Sequence, residues 1–230
     1  MNLRQCISTS ISRSVISIVL LWGAITTADA QKLFRLEKDS IPIMRGFQVS
    51  FDLVGAAQTV WGDYGQYEAA LRLNLHDQWF PVVELGYGQA SREDDPITEL
   101  SYKTKAPYFR VGVDFNLLKK KHQANRLLAG FRYAQTSYKI DAWRKEFSDP
   151  VWLTPTGFGI HDEQCSQKWL EFVVGVDAQI VGPFHLGWSV RYKQRIAHDE
   201  GNAGSSWYVP GFGTQNTSTL GATFNVIIDI

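Results

Sequence analysis

From Gly46 onward the chain is written in twos. Phe47, Val49, Phe51 and Leu53 alternate with Gln48, Ser50 and Asp52. A period of two predicts a β-strand with one face in an apolar medium and the other in a polar one. The pattern returns with Tyr67, Ala69, Leu71, Leu73 and Leu75 set against Glu68, Ala70, Arg72 and Asn74. It returns again with Val83, Leu85 and Tyr87 against Glu84, Gly86 and Gly88, and with Phe109, Val111, Val113 and Phe115 against Arg110, Gly112, Asp114 and Asn116. A fifth segment sets Leu127, Ala129, Phe131 and Tyr133 against Leu128, Gly130, Arg132 and Ala134. A sixth runs from Leu170 to Gln179, with Glu171 and Asp177 on its polar side. A seventh runs from His185 to Lys193, with Arg191 on the polar side. The last, Ser218 to Ile230, places Leu220, Ala222, Phe224, Val226, Ile228 and Ile230 on one face and Asp229 on the other. Each of the eight segments has about nine to eleven residues, the length of a tilted strand across a hydrocarbon layer.

The connections alternate in length. Tight turns are expected at His76-Asp77-Gln78, near Lys119-Lys120-Lys121 and at Val181-Gly182-Pro183. Longer loops are expected at Gly55–Gln66, Ala90–Lys105, Lys139–Gln167 and Ala197–Thr217. An even strand number with long loops on one side is the pattern of a bacterial outer-membrane barrel. With the N-terminus in the periplasm, the three tight turns face the periplasm. The final strand points the same way, because an apolar face and edge are left bare unless closure pairs the edge and lipid covers the face.

Periodicity alone does not separate such a barrel from a soluble periplasmic carrier barrel, which turns its apolar face inward. Charge and glycine distinguish them. The apolar face is almost free of charge, whereas Gly86, Gly88, Gly112, Gly130, Gly175, Gly187 and Gly221 all fall on the polar face. An eight-stranded barrel has an interior only wide enough for side chains, and glycines beside long charged residues suit a filled lumen. Aromatics collect at strand ends: Tyr67, Tyr87, Phe109, Tyr133, Trp169 and Tyr192 at one rim, Trp79, Phe80 and Phe184 at the other. That matches the aromatic belts of membrane interfaces. The fold expected is all-β, an eight-stranded antiparallel up-and-down transmembrane β-barrel.

The N-terminus changes the picture by adding a targeting segment. Arg4 and Arg13 precede a short apolar core at Val15–Trp22, and Ala28-Asp29-Ala30 is a small-x-small cleavage site. Residues 1–30 are expected to be a removed signal peptide, 31–44 a periplasmic tail or plug, and 45–230 the barrel. Formal charge is zero over the 230 residues, and −1 once Arg4, Arg13 and Asp29 are gone, which argues against a nucleic-acid partner. Cys6 falls in the signal, leaving Cys165 without an internal disulfide partner.

The signal, the run Phe80-Pro81-Val82-Val83-Glu84-Leu85-Gly86-Tyr87-Gly88 and the eight-strand layout together resemble the small outer-membrane β-barrel proteins of Bacteroidetes-type bacteria that have no assigned activity. The resemblance implies a fold and a place in the bacterial outer membrane, and no chemistry. Ile230 stands where such barrels commonly end in Phe.

Candidate chemistry lies on the polar face: Asp52, Glu68, Glu84, Asp114, Glu171, Asp177 and Asp229 with Arg72, Arg110, Arg132, Arg191, Lys193 and His185. A proton path or paired acid–base carboxylates would use such residues. Mutual neutralisation inside a filled lumen explains them more simply. A lipid-modifying enzyme is the enzymatic alternative, but no Gly-x-Ser-x-Gly elbow is present. No catalytic, cofactor-binding or metal residues are assigned, and no cofactor is expected. The favoured role is a structural or ligand-binding surface protein in contact with outer-membrane lipids. It would meet an extracellular ligand through loops bearing Trp143, Trp152, Phe158, Trp207, Tyr208 and Phe212. His161-Asp162-Glu163 and His198-Asp199-Glu200 occupy the third and fourth loops, and whether His161 and His198 share a metal is left open, with coincidence the simpler account.

Overall fold

Strands form at all eight alternating segments. The structure, a computed structural model, describes residues 42–93, 95, 99–148, 155–199, 201, 206–214 and 216–230. The elements are β1 (Met44–Asp52), α1 (Leu53–Trp61), β2 (Tyr64–Leu75), β3 (Trp79–Arg92), β4 (Leu100–Asn116), β5 (Arg126–Ser148), β6 (Pro155–Val181), β7 (Phe184–Asp199), β8 (Tyr208–Val209), β9 (Gly213–Thr214) and β10 (Ser218–Asp229). The order β1-β10-β7-β6-β5-β4-β3-β2 closes on itself as a barrel, with every neighbour antiparallel. The expected signal segment 1–30 and most of the tail 31–44 lie outside the described residues, and Met44 already opens β1.

Closure rests on a short seam. β1 and β10 pair from Gln48↔Asp229 to Asp52↔Asn225, and Phe47 and Ile230 exchange backbone hydrogen bonds at 2.8 and 3.0 Å. The β2–β3 turn is as tight as expected. Leu75 pairs with Trp79, so the loop is His76-Asp77-Gln78, in which His76 and Asp77 both take positive φ, 59° and 54°, and the Gln78 N–H donates to the Leu75 carbonyl at 3.1 Å.

The faces divide as the alternation requires. Leu85, Trp188 and Val190 are 62%, 69% and 56% exposed on the outside, whereas Glu84 and Arg110 inside are 1% and 0% exposed. The apolar face is therefore outward and the charged face fills the lumen. The carrier-barrel alternative, which needs the reverse, does not describe this molecule.

Toward the long-loop end the strands keep their period but exchange its chemistry. On β4 the outward residues change from Phe109, Val111 and Val113 to Lys105 and Lys103, and the inward residues from Arg110 and Asp114 to Ala106, Thr104 and Tyr102. On β5 the outward series passes from Phe131 and Tyr133 to Ser137 and Lys139, and the inward series from Arg132 to Tyr138 and Ile140. On β6 the same change places Leu170 and Phe172 outside on one side of it, Lys168 and Gln164 on the other. The barrel is inside-out in one zone and conventional above it. In the upper zone Ala90, Tyr102, Tyr108, Tyr138, Ile140, Cys165 and Trp169 form an apolar core.

This inversion overturns part of the sequence expectation. The stretch Lys139–Gln167, expected to be the longest loop, is mostly β-strand, with β5 and β6 paired from Arg126↔Asp177 to Ser148↔Pro155. Ala90–Lys105 and Ala197–Thr217 likewise lose residues to β3, β4 and β7. Trp169 and Phe80, expected at the rims, point inward and are both 0% exposed. Gly55–Gln66, expected as a loop, holds α1 and the start of β2. The helix starts because the Asp52 carboxylate accepts the N–H groups of Val54 and Gly55, an N-cap hidden inside a strand pattern.

Candidate functional site

The middle of the lumen is a compact knot of charge. Register brings it about: Glu84 on β3 stands opposite Arg110 on β4, and Glu171 on β6 lies between Arg132 on β5 and Lys193 on β7. Arg110 is bonded to Glu68, and lies 3.1 Å from Glu84 and 2.9 Å from Glu171. Arg132 reaches Glu84 at 2.6 Å and Asp114 at 3.0 Å, and Arg191 reaches Glu84 at 2.6 Å and Glu68 at 3.1 Å. The Tyr108 hydroxyl donates to Glu68 at 2.7 Å and the Trp169 indole to Glu171 at 2.7 Å. Charges buried this deeply persist only where partners and hydrogen bonds surround them. Glu68, Glu84 and Glu171 are held by guanidiniums and present no free base or nucleophile to a substrate.

Below this knot the same chemistry continues more loosely. Arg72 lies 3.3 Å from Asp114, Arg126 lies 3.6 Å from Asp177 and 3.2 Å from Asp229, and His185 sits between Asp177 and Asp229 at 3.2 and 3.3 Å. A void of about 30 Å³ beside Arg72, Asp114 and Asp177 has room for about one water, far short of a continuous channel. Every polar-face residue named from the sequence is therefore in the lumen. Arg72 and Asp229 keep 13% and 30% of their side chains in solvent.

The short-turn end has its own network around Asp77. Its carboxylate is bonded to Arg45, accepts from Asn74 Nδ2 at 2.8 Å and meets His122 Nδ1 at 2.8 Å. Burial raises this carboxyl, but the bonds from Asn74, His122 and Arg45 outweigh burial and hold it below the ordinary carboxylate value. A cavity of about 320 Å³ opens here, bordered by Arg45, Asp77, His122, Arg126 and His185.

At the long-loop end the last loop folds back into the barrel. β8 and β9 form a small hairpin in which Tyr208, Val209 and Phe212 are buried. The Gly211 carbonyl accepts from Arg110 Nη2 at 2.8 Å and from Lys193 Nζ at 2.8 Å, and the Phe212 carbonyl accepts from Lys193 Nζ at 3.1 Å. The Tyr102 hydroxyl donates to the Tyr208 carbonyl at 2.8 Å. Gly211 takes φ +80° with its Cα turned to the Tyr108 ring, where a Cβ would lie 2.6 Å from the ring. Phe212 packs edge-on against Trp169, centroids 5.6 Å apart.

This cap changes the expected role of the loop aromatics. Tyr208 and Phe212 seal the mouth, and Trp207 packs edge-on against Tyr64 and Tyr102 and at a tilt against Tyr208. None of the three is a free binding surface. Trp143 is half-buried on β5, Phe158 enters β6 opposite Arg144, and Trp152 lies outside the described residues. His161 and His198 belong to β6 and β7 rather than to loops. His161 Nδ1 stands 3.7 Å from Asp141, and among the described residues no group of three or more His, Cys, Asp or Glu gathers as a metal site. Sequence reading missed the cap and α1. The signals available were Pro210-Gly211 between aromatics and Asp52 preceding a Gly-Ala-Ala stretch.

Among curated proteins none matches the chain. Among solved structures it is similar to Neisserial surface protein A (TM-score 0.45, 10% identity, covering 81% of this chain and 99% of that one). It is also similar to a major outer membrane protein from Thermus thermophilus (0.45, 15%, 80% and 98%). A third is Ail, the attachment invasion locus protein of Yersinia pestis, in complex with a heparin analogue (0.37, 9%, 80% and 93%). Likenesses this distant carry no weight as to activity. At the level of sequence, the family described as a domain of unknown function, DUF6048, matches residues 11–229, and the chain belongs to that family.

Proposed function

We propose that the chain is a closed, non-conducting barrel of the bacterial outer membrane whose upper wall stands at the cell surface as a rigid binding face. The polarity inversion on β4, β5 and β6 carries this reading. Phe109, Val111, Phe131 and Phe172 suit lipid, and the residues that follow on the same outer face, Lys105, Lys139 and Lys168, suit water and lipid headgroups. The knotted lumen and the cap support a role in presentation rather than transport. The tying of Glu68, Glu84 and Glu171 to guanidiniums supports a non-enzymatic role over lipid modification. So does His185, which faces carboxylates at the short-turn end. Outer-membrane lipids are the permanent partner, and an extracellular ligand would meet the outer face of the wall formed by β4, β5 and β6. A source among Bacteroidetes-type bacteria belongs to the same reading.

Whole-cell labelling tests it. In a Cys165→Ser background, Ser137→Cys on the wall should react with a membrane-impermeant maleimide on intact cells, and Gln123→Cys at the short-turn end should react only after lysis. Equal reaction at both sites, or a protein soluble without detergent, would overturn the reading.

A further inference from the structure

Above the seam the barrel is not zipped shut. The β1–β10 pairing stops at Asp52↔Asn225, because α1 turns the chain away from the sheet there. Among the described residues no strand pairs with the β1-side edge of Ser218–Phe224. The Phe224 N–H on that edge goes to the Asp52 carboxylate at 3.3 Å. By the alternation of an antiparallel ladder, the N–H and C=O groups of Leu220 and Ala222 face the same gap. Leu220 stands opposite Tyr192, at the level of the outer aromatic rim.

A cavity of about 280 Å³ occupies the gap. Residues from both faces of β10 border it, Leu220 and Ala222 from outside and Gly221 and Thr223 from inside, so it lies along the strand edge. Val54 of α1 and Leu220 give it an apolar strip on the outer side, beside Gln58 of α1. Its inner wall is cationic, Arg191 and Lys193. Lys193 is 7% exposed and gives two hydrogen bonds to cap carbonyls, and among the described residues no carboxylate lies within 4.0 Å of its ammonium. Arg191 is 4% exposed and its Nε has no hydrogen-bond partner. The ammonium has carbonyl acceptors but no carboxylate, and the orphaned guanidinium N–H is costly unless an acceptor meets it. Backbone groups of an unpaired strand edge are costly in the same way wherever water does not reach them.

From this geometry we infer that the cleft binds a single-chain amphiphile with one anionic head. The head lies against Lys193 and Arg191, and the alkyl chain leaves between Val54 and Leu220 to join the apolar belt. Entry is sideways, because the cap closes the route from above. The inference rests on the membrane reading for the source of the ligand, not for the site itself.

Native mass spectrometry of the full barrel, released from a neutral detergent, tests it with dodecanoate as the probe. One dodecanoate should bind per barrel, with dodecanol and acetate each at least ten-fold weaker. Lys193→Met should lower dodecanoate occupancy at least ten-fold. Ala222→Trp, which fills the cleft and leaves every charge in place, should do the same while retaining the gel shift of a folded barrel. Equal occupancy in wild type and Ala222→Trp would overturn the inference, as would dodecanol or acetate binding as well as dodecanoate. Because the adduct is read on the isolated barrel, its absence is distinguishable from failure of surface labelling on cells.

Discussion

Arg110 donates through Nη2 to the carbonyl of Gly211 at 2.8 Å, so the cap rests on the side chain that also ties Glu68, Glu84 and Glu171 together. Arg110→Leu should therefore do two things at once. Leaving three carboxylates short of a partner should cost roughly 3–5 kcal/mol, the range for breaking a buried ion pair. Losing the bond to Gly211 should loosen the cap. Urea midpoints of the refolded barrel on cold gels measure the first, and proteolysis of the Tyr208–Thr214 hairpin measures the second. A midpoint equal to wild type would contradict burial of the knot.

Gly211→Ala isolates the cap. At φ +80° with the Tyr108 ring 2.6 Å from the new Cβ, alanine has neither the conformation nor the room. Strain of about 1–3 kcal/mol should expel the hairpin while the barrel strands persist. The expected result is rapid cleavage in the hairpin with an unchanged heat-modifiable gel shift. Cleavage as slow as wild type would contradict the close contact.

Neither change should open a pore. Below the charge knot, Arg72, Arg132 and Arg191 wall a void of about 30 Å³, and among the described residues the knot itself blocks the lumen. Planar bilayers containing wild type, or a variant in which 207–214 is replaced by a short Gly-Ser linker, should show no steady single-channel current. Steady steps from the wild type would contradict a filled lumen.

Asp77 gives a pH dependence with a definite sign. Its carboxyl is held below the ordinary value by Asn74, His122 and Arg45 acting against burial. A depressed carboxylate stabilises the fold fully above its unfolded value, about 3.9, and loses that contribution as pH falls through the lower folded value. Wild type should thus be more stable than Asp77→Asn by about 1 kcal/mol at neutral pH. The gap should close below about pH 4. Thermal unfolding of the two proteins across this range checks it, and a gap that widens on acidification would contradict the assignment.

The eight strands and the lumen residues could be read from the chain because lipid outside and charge inside impose one rule on every span. Arg110, Glu84 and Glu171 were identifiable on that rule alone. The rule fails where the medium changes. Lys139, Tyr138 and Ile140 keep the period of two with water outside, so a search for apolar outward residues reads them as loop. Trp169 and Phe80 lie near strand ends but keep the lumen phase, and phase rather than nearness to an end decides which side they face. Asp52 has the phase of a lumen residue, and that phase masks the one local sign of a helix start, an Asp shortly before Gly55-Ala56-Ala57. The cap depended on partners about 100 residues distant: Gly211 is fastened by Arg110, and Tyr208 by Tyr102.

Those distant partners also set an order of assembly. The hairpin lies between β7 and β10 in the chain, yet its anchors belong to β4 and, through Lys193, to β7. It has no seat until the wall from β4 to β7 stands, and its anchoring at both ends waits for β10 to dock. Keeping water from the charge knot at its upper side therefore depends on a short segment fastened about 100 residues away in the chain. Long loop closures of this kind are slow steps in folding.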